Sequence, residues 1–500
     1  MQTKRLNLHT SEIVLYFSVY IVYIVYDLCM LINARHKIWN IAAYNFPKGW
    51  PILNSLKDDT NDEFYAFTEY MKIYWPWYVL HLTVATLIRK YRRKWQSAIH
   101  ALICAVILFM TIKLISIVLI GCLVISYFFV ARERSKILTW LLAVLWMVVM
   151  IFLKSNRFLQ EYLGYTEFHN VMVTLCWSIL RGCSYSLQYE RSYRLKETNL
   201  SSKYGLAHYL GYILYFPCMM LGPFMGYNRY IAIEENADNF PLRQKFKMLL
   251  WGLIRVLFWW CVLEIAVHFV YVHYMSADIA AIEVLDTKFG LYGVGYFMGQ
   301  FFFMFYVISY GLGITFAQYD GLRPPRKPRC IGLVHYYSNM WKHFDEGLYE
   351  FLFSHIYAEM CTKHSSPLRK IVASAATFSF VFLWHGYYDY VFVWSILNFC
   401  CLIAEKLVKS VINSPKYNDF MHHRVKLTKS GLQRFNALLC SQIFIPAAFS
   451  NSYFISGLEV GNYLMKGAYQ GGWWNYLTLT FCAYCFFQCC EIVLQTNLVK

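Results

Sequence analysis

Apolar runs dominate this chain, broken by short polar stretches. Candidate membrane spans fall at about 12–32, 71–88, 98–112, 114–131, 138–153, 205–222, 248–272, 291–316, 371–385, 388–407, 435–455 and 474–494. Several reach about 18–20 residues, enough to cross a hydrocarbon core of about 30 Å. A membrane β-barrel would instead show short alternating segments. Lys113 separates two runs, and Arg255 and Glu264 fall inside another. The pattern predicts an all-α polytopic membrane protein with about ten full crossings and some re-entrant pieces. The first run, Tyr-rich and without a small-residue cleavage site, reads as a retained span after Lys4 and Arg5.

The polar stretches at about 33–70, 190–204, 228–246 and 408–432 read as loops or interfacial helices. No soluble domain, repeat or low-complexity tract is visible, so residues 1–500 read as one integral-membrane domain with its chemistry inside the bundle. Composition agrees: 58% hydrophobic, 19% aromatic and 15% charged. The net charge of +17 (46 basic, 29 acidic) is loop charge that orients spans and meets anionic lipid, and no basic arm suggests nucleic acid. Clusters at Arg89-Lys90 with Arg92-Arg93-Lys94, at Arg132/Arg134/Lys136 and at Arg323/Arg326/Lys327/Arg329 point to the cytoplasmic side. Asp58-Asp59 through Asp62-Glu63 is placed across the membrane. Sixteen cysteines, mostly inside apolar segments, form no disulfide framework, and Cys482-x-x-Cys485 lacks a second pair for zinc.

Two segments carry candidate chemistry. Val334, Tyr337, Trp341, Phe344, Leu348 and Phe351 recur at spacings of three and four and predict an amphipathic helix. Lys342, Glu346 and Glu350 fall on its polar side. Asp345 lies about 40° from Trp341, at the edge of the apolar stripe. Downstream, Trp384-His385-Gly386 ends a nearly uncharged run. An ionisable group at membrane depth is costly and by default marks function, and histidine suits proton transfer near neutrality. If 371–385 is helical, Ser374 and Thr377 share the His385 side, and Asp389 joins them if the helix survives Gly386. His81, His100, His208 and His268 are further intramembrane histidines, so a packing role for His385 stays open at this point.

The segments Met340-Trp-Lys-His-Phe-Asp-Glu-Gly-Leu348 and Leu383-Trp-His-Gly-Tyr-Tyr-Asp-Tyr390 resemble the membrane-bound O-acyltransferase superfamily, in particular its Hedgehog acyltransferase branch. Tyr215-Phe-Pro217 with Gly222-Pro-Phe224 resembles the superfamily's proline-bearing signature. The likeness covers most of the chain and is densest from Asp320 to Asn398 and around Ser450-Asn451. It implies a catalytic core at about 205–455. Lipid- and Wnt-acylating members usually carry asparagine at the acidic position; the Hedgehog branch carries aspartate, as Asp345 does here.

The resemblance implies transfer of palmitate from palmitoyl-CoA to the N-terminal cysteine of a secreted signalling protein, Hedgehog-type or EGF-type, as a stable amide. It places the enzyme in the endoplasmic reticulum membrane, with the Golgi as a further site, and implies a tunnel between the cytosolic donor and the lumenal acceptor. It assigns His385 as base, Asp345 as its partner or acceptor-positioning group, and Asn451 as a donor to the thioester oxygen. Trp341 matches a residue beside the acyl chain. Lys342 replaces an arginine and lacks its bidentate reach. Cys330 matches a position that can bind haem through thiolate. The alternatives are a lipid O-acyltransferase of the same superfamily, a transporter using Arg255 and Glu264, and a non-enzymatic binding protein.

Overall fold

The computed structural model describes residues 8–91, 95–198, 200–235, 241–285 and 287–496. Lys4, Arg5 and most of the first basic cluster lie outside the described residues. The chain is 82% helical, with no strand among the described residues. Among the described residues, eight helices are long and apolar enough to cross a membrane.

The elements follow the hydropathy runs. The first five are α1 (Thr10–Ile41), α2 (Asp62–Tyr91), α3 (Gln96–Thr111), α4 (Leu114–Arg132) and α5 (Lys136–Ser155). The α3–α4 break falls at Lys113, as expected. Lys113 donates its backbone N–H to the Glu167 carboxylate at 2.8 Å. Ser135 caps α5 by accepting from the Leu138 N–H.

Two departures matter for the site. Residues 205–222 do not span. They form two short helices, Leu206–Ile213 and Phe216–Met219, which lead into Gly222 at φ 75°. Pro217 cannot extend the first of these, because it has no N–H to donate. The second departure is a helix that hydropathy does not reveal, α6 (Tyr165–Arg194), which is buried over most of its length. Its polar residues hide it in a hydropathy scan, and some of them find partners inside. Arg181, fully buried, donates to the carbonyls of Cys218 and Met219.

The remaining long helices are α7 (Leu242–Ala266) and α8 (Lys288–Tyr319). α9 (Tyr337–Phe344) and α10 (Glu346–Leu352) are short. α11 (Pro367–His385), α12 (Asp389–Ile412), α13 (Lys429–Gln470) and α14 (Trp473–Gln495) complete the bundle. α8 is central and packs against α1, α7 and α13. α13 kinks at Gly457, whose φ of 77° suits a residue without Cβ. Large apolar side chains such as Val22, Phe109, Phe152 and Trp251 cover the outside, where lipid would meet them.

Candidate active site

A cavity with about 910 Å³ of atom-free space, part of it open to the outside, lies inside the bundle. His385, Asp345, Asn451 and Trp341 all line it. They come from three helices and one helix junction, so tertiary packing brings together segments that the chain keeps far apart.

His385 is the last residue of α11. Gly386, at φ 129°, ends the helix and turns the chain away. Lys154 donates to the His385 carbonyl at 3.3 Å and so holds the helix end. The imidazole stands edge-on to Trp394 at 5.5 Å and to Phe454 at 4.9 Å between ring centroids. No hydrogen bond to a described residue engages the ring. The other histidines differ. His81 meets Asp320 at 2.7 Å, His100 lies 3.2 Å from the Tyr230 hydroxyl, and His268 accepts from the Trp50 N–H. Those three are packed into structural polar contacts, while His385 faces a cavity.

Because α11 stops at His385, Asp389 starts the next helix and is exposed, so it does not share the histidine's face. Ser374 and Thr377 also lie outside the cavity. Lys406 donates to Ser374, and Thr377 bonds back to the Ala373 carbonyl of its own helix.

Asp345 shows why the expected single helix from 334 to 351 is two. Its backbone leaves helical geometry (φ −126°, ψ 85°), and its side chain accepts from the Leu348 N–H at 2.9 Å. The aspartate therefore caps α10 and ends α9. Tyr310 of α8 donates to its other oxygen at 2.8 Å. Burial pushes the Asp345 carboxyl above its ordinary range, against the pull of these hydrogen bonds. Glu346 and Glu350 face elsewhere, toward the Arg229 guanidinium. The helical-wheel distinction among the three acids thus matches the structure.

The proline-bearing segment packs behind this pair. A Cβ on Gly222 would lie 2.9 Å from the Tyr310 ring and 3.0 Å from Trp177. A Cβ on Gly347 would meet the Phe224 carbonyl oxygen at 2.1 Å. Glycine at both positions lets α8, α10 and residues 215–224 approach closely.

The Asn451 side-chain oxygen accepts from Tyr337 at 3.1 Å and from Trp394 Nε1 at 3.3 Å, and its NH₂ reaches the Ala447 carbonyl at 3.3 Å. Sequence reasoning missed Asn398, which anchors the same network while fully buried. It accepts from the Tyr337 hydroxyl and, at 3.1 Å, from Trp341 Nε1. It donates to the Trp394 carbonyl at 2.7 Å. A lone amide in the apolar run 388–407 was the available signal. Tyr310 was equally hidden among the tyrosines.

Lys342 is exposed and does not line the cavity. It lies with Arg329 and Arg326 around His343, whose imidazole is pushed down by burial and by those three charges. Cys330 is exposed, precedes a tight turn at Ile331–Leu333 and lines neither large cavity. One exposed thiol makes no haem cradle, and no haem is supported. Glu264 pairs with Lys57 at 2.8 Å and Arg255 is exposed, so neither forms a charged pathway through the bundle.

Helices, buried site and order of motifs define a polytopic membrane acyltransferase. The chain belongs to the MBOAT, membrane-bound O-acyltransferase family, whose model matches residues 122–450. It is 46% identical to protein-cysteine N-palmitoyltransferase Rasp of Drosophila melanogaster, over 99% of this chain and 97% of that protein. It is 26% identical to protein-cysteine N-palmitoyltransferase HHAT of Mus musculus, over 86% of this chain and 87% of the mouse protein. A membrane-bound O-acyltransferase GUP1 of Millerozyma farinosa is 24% identical over 54% of the chain and 57% of its own length.

Proposed function

We propose that this protein transfers palmitate from palmitoyl-CoA to the α-amine of an N-terminal cysteine on a secreted signalling protein of the Hedgehog or EGF type. The full-length likeness to two protein-cysteine N-palmitoyltransferases supports this. The observation that carries it is the convergence of His385 and Asp345 on one aromatic cavity, with the imidazole ring unengaged. We place the reaction in the endoplasmic reticulum membrane, or the Golgi, with the whole chain as one acyltransferase domain and its core at about 205–455.

The chemistry is a direct displacement. The amine nitrogen attacks the thioester carbonyl carbon, a C–N bond forms, and the C–S bond breaks. The amine proton passes to neutral His385 and from there to the departing CoA sulfur, leaving an amide and free CoA. The thioester is already activated, so positioning and proton removal are the main tasks. The α-amine has a pKa of about 7.7–8.0, so a modest base suffices. Asp345, fixed by Tyr310 and by the Leu348 N–H, holds the imidazolium that forms or orients the amine.

Asn451 borders the cavity with its NH₂ within reach of the Ala447 and Ala448 carbonyls and of Met340 Sδ; that amide is the candidate donor to the thioester oxygen as charge develops. Trp341, held by Asn398, supplies a rigid apolar wall for the acyl chain. Lys342 with Arg326 and Arg329 forms a basic rim suited to the phosphates of CoA. The aspartate at 345 favours a protein acceptor over a lipid acceptor.

The test uses membranes carrying the protein, a palmitoyl-CoA analogue and a peptide with an N-terminal cysteine. Hydroxylamine-resistant acylation by the wild type that collapses in His385→Ala at matched expression is the expected result. Equal transfer by both would overturn the role of His385, and no transfer by wild type would overturn the reaction.

A further inference from the structure

A second cavity, with about 1230 Å³ of atom-free space and part of it open to the outside, lies between α1, α8, α13 and α14. It shares Gly299, Ile331, Met340, Asn451 and Ile455 with the reaction cavity, so the two chambers are separated by one wall that Asn451 belongs to. Tyr23 and Tyr292 hydroxyls and Gln300 Nε2 line or border it, are shielded from solvent, and make no well-formed hydrogen bond to a described residue.

Asp27 lies just behind the lining of this chamber. It lies one turn beyond Tyr23 on the same face of α1 (Tyr20, Tyr23 and Ile24 line the cavity), and its carboxyl packs on Gly293, next to Tyr292. Asp27 is 1% exposed, and its carboxylate makes no well-formed hydrogen bond, the Tyr23 hydroxyl being the neighbour that interacts with it. An aspartate at mid-span held by a single hydroxyl is expensive, and such residues by default face a ligand path. The Tyr292 hydroxyl and Gln300 Nε2 add further polar capacity to the same chamber.

We infer that Asp27, with Tyr23 and Tyr292, forms a subsite that receives the acceptor's N-terminal ammonium before it crosses to the reaction chamber. This rests on the proposed acyl transfer to an α-amine. Whatever the acceptor's sequence, that reaction guarantees it one cationic group: an amine with a pKa of about 7.7–8.0 is largely protonated at neutral pH. A carboxylate flanked by aromatic rings suits an ammonium by charge and by cation–π contact. The donor is anionic at its CoA end and apolar at its acyl end, and neither matches Asp27. The chamber wall at Asn451 then marks the transfer point: the ammonium first releases one proton to water, and the amine gives up a second to His385 as the C–N bond forms.

The experiment measures binding of a fluorescent N-terminal-cysteine peptide to purified protein, with its amine free or acetylated, alongside turnover. Wild type is expected to favour the free amine by at least about tenfold, the effect of roughly 1.4 kcal/mol of charge recognition. Asp27→Asn, close to isosteric, should reduce that preference to within about twofold, with the KM for palmitoyl-CoA unchanged and kcat at saturating peptide retained. Tyr23→Phe should give a smaller loss in the same direction and serves if Asp27→Asn fails to fold. A preference that survives both substitutions, or a change confined to the KM for palmitoyl-CoA, overturns the subsite while transfer continues. If wild type binds the free amine selectively but acylates nothing, the subsite stands and the acyltransfer reading falls.

Discussion

Tyr310 reaches across from α8 and donates a 2.8 Å hydrogen bond to Asp345, the residue at which α9 stops and α10 begins. The same carboxylate therefore does two things. It caps a helix with one oxygen and takes a tertiary hydrogen bond with the other. Gly222, at the end of the proline-bearing segment, lies against the Tyr310 ring, so three separate parts of the chain fix one carboxylate.

Tyr310→Phe tests this arrangement with little change in volume. A hydrogen bond to a charged group contributes about 1.5–3 kcal/mol. If Asp345 acts in the transition state, kcat should fall by roughly 10- to 100-fold while the KM for palmitoyl-CoA changes less than about threefold. Steady-state acylation of an N-terminal-cysteine peptide would measure both. A normal kcat would show that Leu348 capping alone positions Asp345.

Asn398 holds Trp341 Nε1 and the Tyr337 hydroxyl together behind the cavity. Asn398→Leu leaves those donors unpaired in the interior, at about 1–3 kcal/mol for each unsatisfied group. The expected result is a lower thermal transition in detergent and a raised KM for the acyl donor, because the Trp341 wall loses its anchor. Trp341→Phe should reproduce the KM change with less loss of stability.

Much of this was readable along the chain, and the misses have physical causes. Spans such as α4 and α5 are nearly uniform in apolar residues, so length and hydropathy suffice to find them. α6 is missed because it is buried by protein on most sides and can carry Ser, Tyr and Arg181, the last satisfied by the Cys218 carbonyl. The run at 205–222 is apolar enough to span but contains Pro217 and Gly222, and the backbone there serves the site rather than the bilayer. His385 and Asp345 were visible as ionisable groups against an apolar background. Tyr310 and Asn398 were not, because their roles depend on partners that only folding brings near.

Gly347→Ala should be severe for a local reason. The added Cβ would lie 2.1 Å from the Phe224 carbonyl oxygen, a backbone atom that cannot rotate away. α10 would have to shift, and Asp345 at its first turn would move with it. Overpacking of this kind costs roughly 1–3 kcal/mol or more. We expect reduced folded yield by fluorescence-detected size exclusion and activity per folded molecule down by at least about tenfold. Full activity in the folded fraction would mean that α10 tolerates the shift without disturbing the carboxylate.

The node formed by His81 and Asp320 provides a contrast in stability rather than catalysis. Both side chains are buried, 2.7 Å apart, at the end of α8, and the Tyr215 hydroxyl donates to the same carboxylate oxygen at 2.6 Å. Burial alone would raise the Asp320 carboxyl, but the His81 charge and hydrogen bond, with His100 and Tyr215, hold it at about 2. A carboxyl held below its unfolded value of about 3.9 contributes stability above that pH and loses it as pH falls toward 2. Removing one member of a buried pair typically costs about 3–5 kcal/mol. Asp320→Ala should therefore lower the thermal transition sharply at neutral pH, and by less as pH falls toward 2. A double variant with His81→Ala should lose less than the sum of the two single losses, because the pair is counted once. Strict additivity would show that the two side chains stabilise the fold independently, and the bond between them would then carry little of the coupling between α2 and the end of α8.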